Sequence, residues 1–140
     1  MFKLNKSTRF AIYAMVELAS VEGKSLPAAA IAEKYNISEH HVAKVLQQLA
    51  KNGLVESIRG VGGGFRILTD PKEVTLWDLV KIFEPLSERQ NCAFQEGQEC
   101  CRLHACNIHQ VLQEIEDQIY YTLKSVTIGT LCFPKRIFEA

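Results

Sequence analysis

The 140-residue chain lacks the marks of several common protein classes. It has no Cys-x2-Cys redox motif, no glycine-rich cofactor turn after a strand and no convincing pair of catalytic acid and base. It also has no apolar run long enough to span a bilayer and no opening like a signal peptide. We therefore expect a cytoplasmic protein that has no membrane partner and is not an enzyme.

The net charge of zero conceals an uneven distribution. Residues 1–70 contain nine Lys and Arg against six Asp and Glu (+3), and residues 71–140 contain seven against ten (−3). A nucleic acid is therefore expected to meet the first half of the chain. The length suits one domain with an appendage.

The first fifty residues have the pattern of a helix-turn-helix. Apolar spacing predicts helices over about 7–19 and 28–34, and Asn36 can turn the chain in a left-handed conformation. Ser38 can cap a third helix that ends at 52–53. Its predicted buried face consists of Val42, Val45, Leu46 and Leu49. Two short β-prone runs around a glycine-rich tip, over 54–68, then predict a hairpin wing.

The outward side of the third helix carries donors and cations suited to base edges and phosphates. Arg59 stands at the base of the glycine tip, where few side chains obstruct close approach to DNA. The alternatives are an ordinary solvated face, an ion pair between Arg59 and Glu56, and glycines that serve turn geometry alone. The predicted DNA-binding residues are Ser38, His40, His41, Lys44, Arg59, Gly62 and Gly63.

After the wing, Thr75 begins a capping-box pattern for a helix that ends before Pro85. A polar stretch follows, and from about Asn107 the apolar residues approximate a heptad seam. A helix of this length is difficult for a small monomer to cover, so we predict a homodimer; the alternative is a helix lying on its own core. The predicted interface consists of Ile108, Leu112, Ile115, Ile119, Leu123 and Val126.

Soft ligands are concentrated before and within the start of that helix. They read Cys92-x7-Cys100-x5-Cys106-x2-His109, with Cys101 as an alternative to Cys100. In a reducing compartment, clustered cysteines indicate a metal or redox site more than disulfides. Structural zinc and free thiols acting as a direct redox switch both stay open. The remaining thiol, Cys132, lies in a mostly apolar stretch and is expected in the core.

Four motifs together resemble the Rrf2 family of bacterial winged-helix regulators. They are Leu4-Asn5-Lys6-Ser7-Thr8-Arg9-Phe10-Ala11, Lys51-Asn52-Gly53-Leu54-Val55, Arg59-Gly60-x-Gly62-Gly63-Gly64 and the late Cys-x5-Cys tract. The resemblance implies a dimeric transcription factor whose cysteine loop holds an iron-sulfur cluster, either 2Fe-2S or 4Fe-4S. It places Cys92, Cys100 and Cys106 at the three cysteine positions and His109 at the histidine position of two-iron members. Some nitric-oxide-sensitive members take an aspartate ligand where this chain has Arg9.

These observations predict a mainly α fold with a small β-hairpin wing and a long C-terminal dimerisation helix. The expected organisation is a winged helix-turn-helix over 1–84, a cysteine-rich cluster loop over 85–106, and a dimerisation helix with a tail over 107–140. The expected function is a homodimeric repressor that binds palindromic promoter DNA and senses iron-sulfur status, redox state or nitric oxide. A thiol-based or zinc-stabilised regulator is the alternative, and a small thiol oxidoreductase or electron carrier is a remote one.

Overall fold

The computed structural model describes residues 3–85 and 107–132. In these ranges the chain is mostly helical and has one antiparallel two-stranded hairpin, which confirms the predicted fold class. The elements are α1 (Lys6–Ser20), α2 (Ala28–Tyr35), α3 (Glu39–Lys51), β1 (Val55–Ile58), β2 (Gly64–Ile67), α4 (Leu76–Phe83), α5 (Asn107–Ser125) and α6 (Ile128–Leu131).

The helix ends follow from local capping chemistry. Asn36 ends α2 in the left-handed conformation at φ 53°, which confirms the predicted tight turn between α2 and α3. The Ser38 side chain accepts a hydrogen bond from the backbone N–H of His41 and so caps α3. At α4, Thr75 and Asp78 form the predicted capping box, each side chain accepting from the other's backbone N–H.

The core lies between α1, α3, α4 and the short helix α6. Its largest fully buried side chains include Met15, Leu18, Ile31, Leu46, Leu49, Leu79 and Ile128. The four predicted buried residues of α3 are all buried, which confirms its orientation. That orientation leaves the opposite side of α3 exposed to solvent.

The segment after α5 returns to the core. Val126 accepts a backbone hydrogen bond from Leu76 at 2.9 Å, and Ile128 donates one to Val74 at 2.8 Å. The short helix α6, capped by Thr127, then packs its fully buried Ile128 beneath α1. Residues 126–132 thereby share one core with the winged helix, which the apolar spacing of the sequence did not indicate.

Helix α5 has 19 residues and is therefore about 28 Å long. It rests on α4, where the rings of Trp77 and Tyr120 meet edge to face with centroids 4.7 Å apart. This packing covers only part of the helix surface, and the remainder carries exposed apolar residues.

Candidate DNA-binding surface and ligand segment

The first turns of α3 present polar side chains to solvent. Ser38, His40 and Lys44 are exposed, and their helix is held from behind by its buried face. Within residues 3–85 and 107–132, Lys44 has no ion-pair partner. An unpaired cation next to a hydroxyl and an imidazole has the chemistry needed to contact phosphates and base edges.

His41 differs from its neighbours on α3. Its Nε2 lies 3.1 Å from the Ser7 hydroxyl, and its ring meets the ring of Phe10 edge to face with centroids 4.7 Å apart. The imidazole is thus half-buried against α1. Its position four residues before buried Val45 places it at the edge of the apolar stripe, a signal that the sequence already carried. Its predicted contact with DNA stays a prediction.

The wing is anchored along β2 and at its tip. Leu26 and Phe65 exchange two backbone hydrogen bonds, of 2.9 and 2.8 Å, so that the segment before α2 pairs with β2. The Ser25 hydroxyl also donates to the carbonyl of Gly62 at 2.5 Å. These contacts fix the hairpin relative to the helices, and the sequence analysis did not anticipate them because a single bridged residue produces no alternating pattern.

Arg59 is exposed on this wing. Glu56, its suspected partner, instead forms an ion pair across the hairpin with Arg66, which is its register partner. Among the residues that the structure describes, Arg59 has no ion-pair partner. Its guanidinium is therefore available for an external anion.

Two of the predicted DNA-binding residues have structural reasons to be glycine. Gly62 adopts φ 76°, a left-handed conformation that costs other residues energy. A Cβ atom on Gly63 would lie 2.4 Å from the carbonyl oxygen of Ile58, so only glycine fits there. Turn geometry accounts for both, and their contact with DNA stays a prediction.

Helix α5 carries an exposed apolar stripe at offsets of 0, 3, 4 and 7. We define the α5 stripe by its members and their exposed fractions: Ile108 (52%), Val111 (55%), Leu112 (37%) and Ile115 (48%). Val111 was missed by the sequence analysis, although it lies three residues after Ile108 on the same face. Of the remaining predicted interface residues, Ile119 and Val126 are half-buried, and Leu123 is buried in its own chain with 7% exposure.

The predicted ligand segment is only partly visible. Cys92, Cys100, Cys101 and Cys106 lie outside the described residues, whereas His109 is buried in the first turn of α5. Within 3–85 and 107–132, no group of three or more His, Cys, Asp or Glu residues could hold a metal ion. The ligand set therefore stays a prediction, supported by the chemistry of its three thiols and one imidazole.

Cys132 stands apart from that segment. Its Sγ lies 3.9 Å from the carbonyl oxygen of Val16 on α1, and the residue packs against the core. Burial raises the pKa of the Cys132 thiol above its ordinary value. The shift favours the thiol over the thiolate, which is the reactive form, and the half-buried residue packs against the core and not within it.

The architecture is that of a winged helix, and comparison with known proteins identifies its family. The family model described as "Rrf2: Iron-dependent Transcriptional regulator" matches residues 4–134. The chain belongs to the Rrf2 family. The match includes all eight elements and the cysteine segment, which confirms the resemblance drawn from the motifs.

Individual relatives agree with this placement. BadM of Rhodopseudomonas palustris, named as an HTH-type transcriptional regulator, is 41% identical over 130 residues, which cover 92% of this chain and 80% of BadM. The HTH-type transcriptional regulator IscR of Escherichia coli is 28% identical over 138 residues, covering 98% of this chain and 84% of IscR. The structure of CymR, the global cysteine regulator of Bacillus subtilis, superposes with a TM-score of 0.75 at 27% identity, covering 94% of this chain and 97% of CymR.

This Rrf2-family protein is thus a DNA-binding transcriptional regulator and not an enzyme. Among the described helices, none is both long and apolar enough to cross a membrane. The exposed N-terminal turns of α3 and the anchored wing carry the residues predicted to bind DNA.

Proposed function

We propose that the protein is a homodimeric repressor whose affinity for promoter DNA depends on an iron-sulfur cluster bound by Cys92, Cys100, Cys106 and His109. The observation that carries this proposal is the donor set: three thiols and an imidazole in one segment that joins a winged helix to α5. Thiolates are the usual ligands of iron-sulfur clusters, and mixed cysteine and histidine sets hold two-iron centres. The family's description as iron-dependent adds support.

The cluster would supply a centre that responds to iron supply, oxidants or nitric oxide. Cys106 and His109 are three positions apart, a spacing that places two ligands on one face once a helix has begun. Cys100 is the preferred middle ligand because Cys100-x5-Cys106 matches the family spacing, and Cys101 is the alternative. The residues do not select between two-iron and four-iron centres.

The proposed DNA contacts come from two elements. Lys44 and Arg59 are exposed and, within the described residues, without ion-pair partners, so we assign them to phosphate or minor-groove contacts. Ser38 and His40 lie on the turns of α3 that enter the major groove in this motif. His41 contributes by holding α3 against α1, in addition to any contact with DNA.

The proposed dimer is supported by the α5 stripe. Its members are contiguous on one face of a long helix and remain exposed in the protomer. Soluble monomers seldom leave such a patch uncovered, and a two-fold axis through it would present two α3 helices to a palindromic site.

A thiol-based regulator without a cluster is the second candidate. It is favoured by the adjacent Cys100 and Cys101 and by the likeness to CymR, which is described as a cysteine regulator. In this case cysteine oxidation would itself change DNA affinity. Zinc is disfavoured because the usual Cys-x2-Cys knuckle is missing.

Anaerobic purification tests the proposal. Visible absorption with iron and sulfide analysis is expected to reveal a cluster, and replacing Cys92 or Cys106 with Ala is expected to abolish it. Cys132→Ala is the matched control, since its thiol packs against the core near α1 and lies outside the predicted ligand set, and should retain the cluster. A colourless preparation that binds zinc or no metal would contradict the cluster and favour the second candidate.

A further inference from the structure

The end of α4 is joined to the beginning of α1 by a group of short hydrogen bonds. The Asn5 side-chain amide donates to the carbonyl of Phe83 at 2.8 Å, and the Asn5 backbone N–H donates to Glu84 Oε1 at 2.7 Å. The hydroxyl of fully buried Thr8 lies 2.7 Å from the same carboxylate oxygen. These bonds connect residues more than seventy positions apart in the sequence.

Glu84 is the central acceptor of this group. The Thr8 hydroxyl has a single proton, and its other neighbour, Asn5 Oδ1 at 3.0 Å, already accepts the Thr8 backbone N–H at 2.8 Å. The carboxylate of Glu84 is the closer and, when ionised, the stronger acceptor, so the hydroxyl proton is directed to it. Removing the carboxylate would therefore remove two of the three hydrogen bonds described above between the beginning of α1 and the end of α4.

Ser7, the residue of α1 that precedes Thr8, continues the connection towards α3. Ser7 Oγ lies 3.1 Å from Nε2 of His41, whose ring also packs on Phe10. The backbone N–H of His41 in turn donates to Ser38, the N-cap of α3. The first turn of α1 thus touches both the end of α4 and the beginning of α3, the second helix of the helix-turn-helix, which we call the recognition helix.

The chain leaves this junction in a defined direction. Glu84 is extended at φ −95° and ψ 138°, the conformation favoured before proline, and Pro85 follows. Beyond Pro85 the sequence leads into the proposed ligand segment. Among the described residues that precede the ligand segment, Glu84 and Pro85 are therefore the nearest to it in sequence.

We infer that Glu84 is a positioning residue that couples the ligand segment to the recognition helix through Thr8, Ser7 and His41. The inference rests on the proposed function, because it assigns the route by which a change in the segment alters DNA affinity. If the end of α4 has different positions in two states of the segment, the hydrogen bonds to Glu84 would shift α1 with it. The contact between Ser7 and His41 would then shift α3. Energetic coupling between two sites requires a physical connection of this kind with two arrangements.

The test measures a ratio of dissociation constants. DNA affinity is determined for the full chain purified anaerobically and again after chelation of its metal, with a duplex selected from a random-sequence pool. A coupled wild-type chain is expected to show a roughly five- to 150-fold ratio. Glu84→Ala and Ser7→Ala should each bring that ratio close to one. Glu84→Gln, which keeps an acceptor oxygen at the same place, should retain most of it.

Glu73→Ala provides a matched control, since this carboxylate is exposed on the turn before α4. A residue with a merely structural role would lower the melting temperature or weaken both affinities together, leaving the ratio unchanged. A wild-type ratio in folded Glu84→Ala and Ser7→Ala overturns the inference and leaves the proposed function intact. Equal affinities in the wild-type chain itself would overturn both. If Glu84→Ala does not fold, Ser7→Ala decides, because its half-buried hydroxyl lies on the α3 side of the junction.

Discussion

The exposure of the α5 stripe predicts how much the substitution Ile115→Ala weakens the proposed dimer. Ile115 is 48% exposed in the protomer, so about half of its side chain is available to become buried on association. Replacing it with Ala removes roughly three carbon groups, each contributing about 0.8 kcal/mol when fully buried. The expected loss is therefore about 1.2 kcal/mol per protomer.

A two-fold interface contains each residue twice, so Ile115→Ala should weaken the dimer by about 2.4 kcal/mol. This corresponds to a dissociation constant roughly 50-fold higher. Sedimentation equilibrium over a range of protein concentrations measures that constant directly. Leu68→Ala is the matched control, since Leu68 is a comparably exposed aliphatic residue (51%) outside α5.

A wild-type chain that sediments as a monomer at high concentration would contradict the proposed interface. So would a dimer whose dissociation constant is the same in Ile115→Ala, Leu68→Ala and the wild-type chain. The first result would mean that the stripe remains exposed in solution, and the second that the dimer uses another surface.

Three further predictions concern the wing, the recognition helix and the core thiol. Lys44→Ala and Arg59→Ala should each weaken DNA binding and reduce the magnitude of the slope of log K against log salt by about one, as measured by fluorescence anisotropy. Lys51→Ala, at the far end of α3, is the control and should leave the slope unchanged. Unchanged slopes in Lys44→Ala and Arg59→Ala would argue against phosphate contacts. Gly64→Ala should lower the free energy of unfolding in urea by at least about 1–3 kcal/mol, because φ is 144° and the new Cβ would lie 2.3 Å from a backbone carbonyl; an unchanged midpoint would contradict this. The raised pKa of Cys132 means that the fold favours the protonated thiol, so this stabilisation is complete below the ordinary thiol pKa and is lost as the pH rises through the folded value. Peptide-resolved alkylation at pH 8 should accordingly label Cys132 more slowly than glutathione, and equal rates would show that the thiol is not shielded.

Much of the fold could be predicted because its signals are local. The left-handed turn at Asn36, the Ser38 cap and the Thr75 capping box each depend on residues within four positions of one another. The buried face of α3 follows from helical periodicity, and the hairpin from its glycine tip.

The contacts that could not be predicted are those between distant parts of the chain. The bridge between Leu26 and Phe65, the return of Ile128 to the core and the bonds of Glu84 to α1 join residues with no shared sequence pattern. The predicted dimer interface shows the same limit. Its spacing identified an apolar face of α5, yet Leu123 is buried within its own protomer, on a helix that packs against α4. Only tertiary packing determines which residues of the face are covered in this way.

Some residues of the candidate site could likewise be predicted from the sequence, and others could not. Helical periodicity predicts an outward Lys44 on α3, and the glycine tip predicts an accessible Arg59 on the wing; both are exposed. His41 was ambiguous because a residue at the edge of an apolar stripe can face either side, and the structure places its ring against α1. The ligand role of the cysteines stays a prediction, since those positions lie outside the described residues.

The central proposal is that an iron-sulfur cluster bound by the cysteine segment controls the affinity for DNA. One measurement tests it most directly: anisotropy titrations of a selected duplex with the anaerobically purified protein, before and after its iron is removed by a chelator. We expect two isotherms whose dissociation constants differ by roughly five- to 150-fold. Superimposable isotherms from a preparation shown to contain iron and sulfide would contradict it.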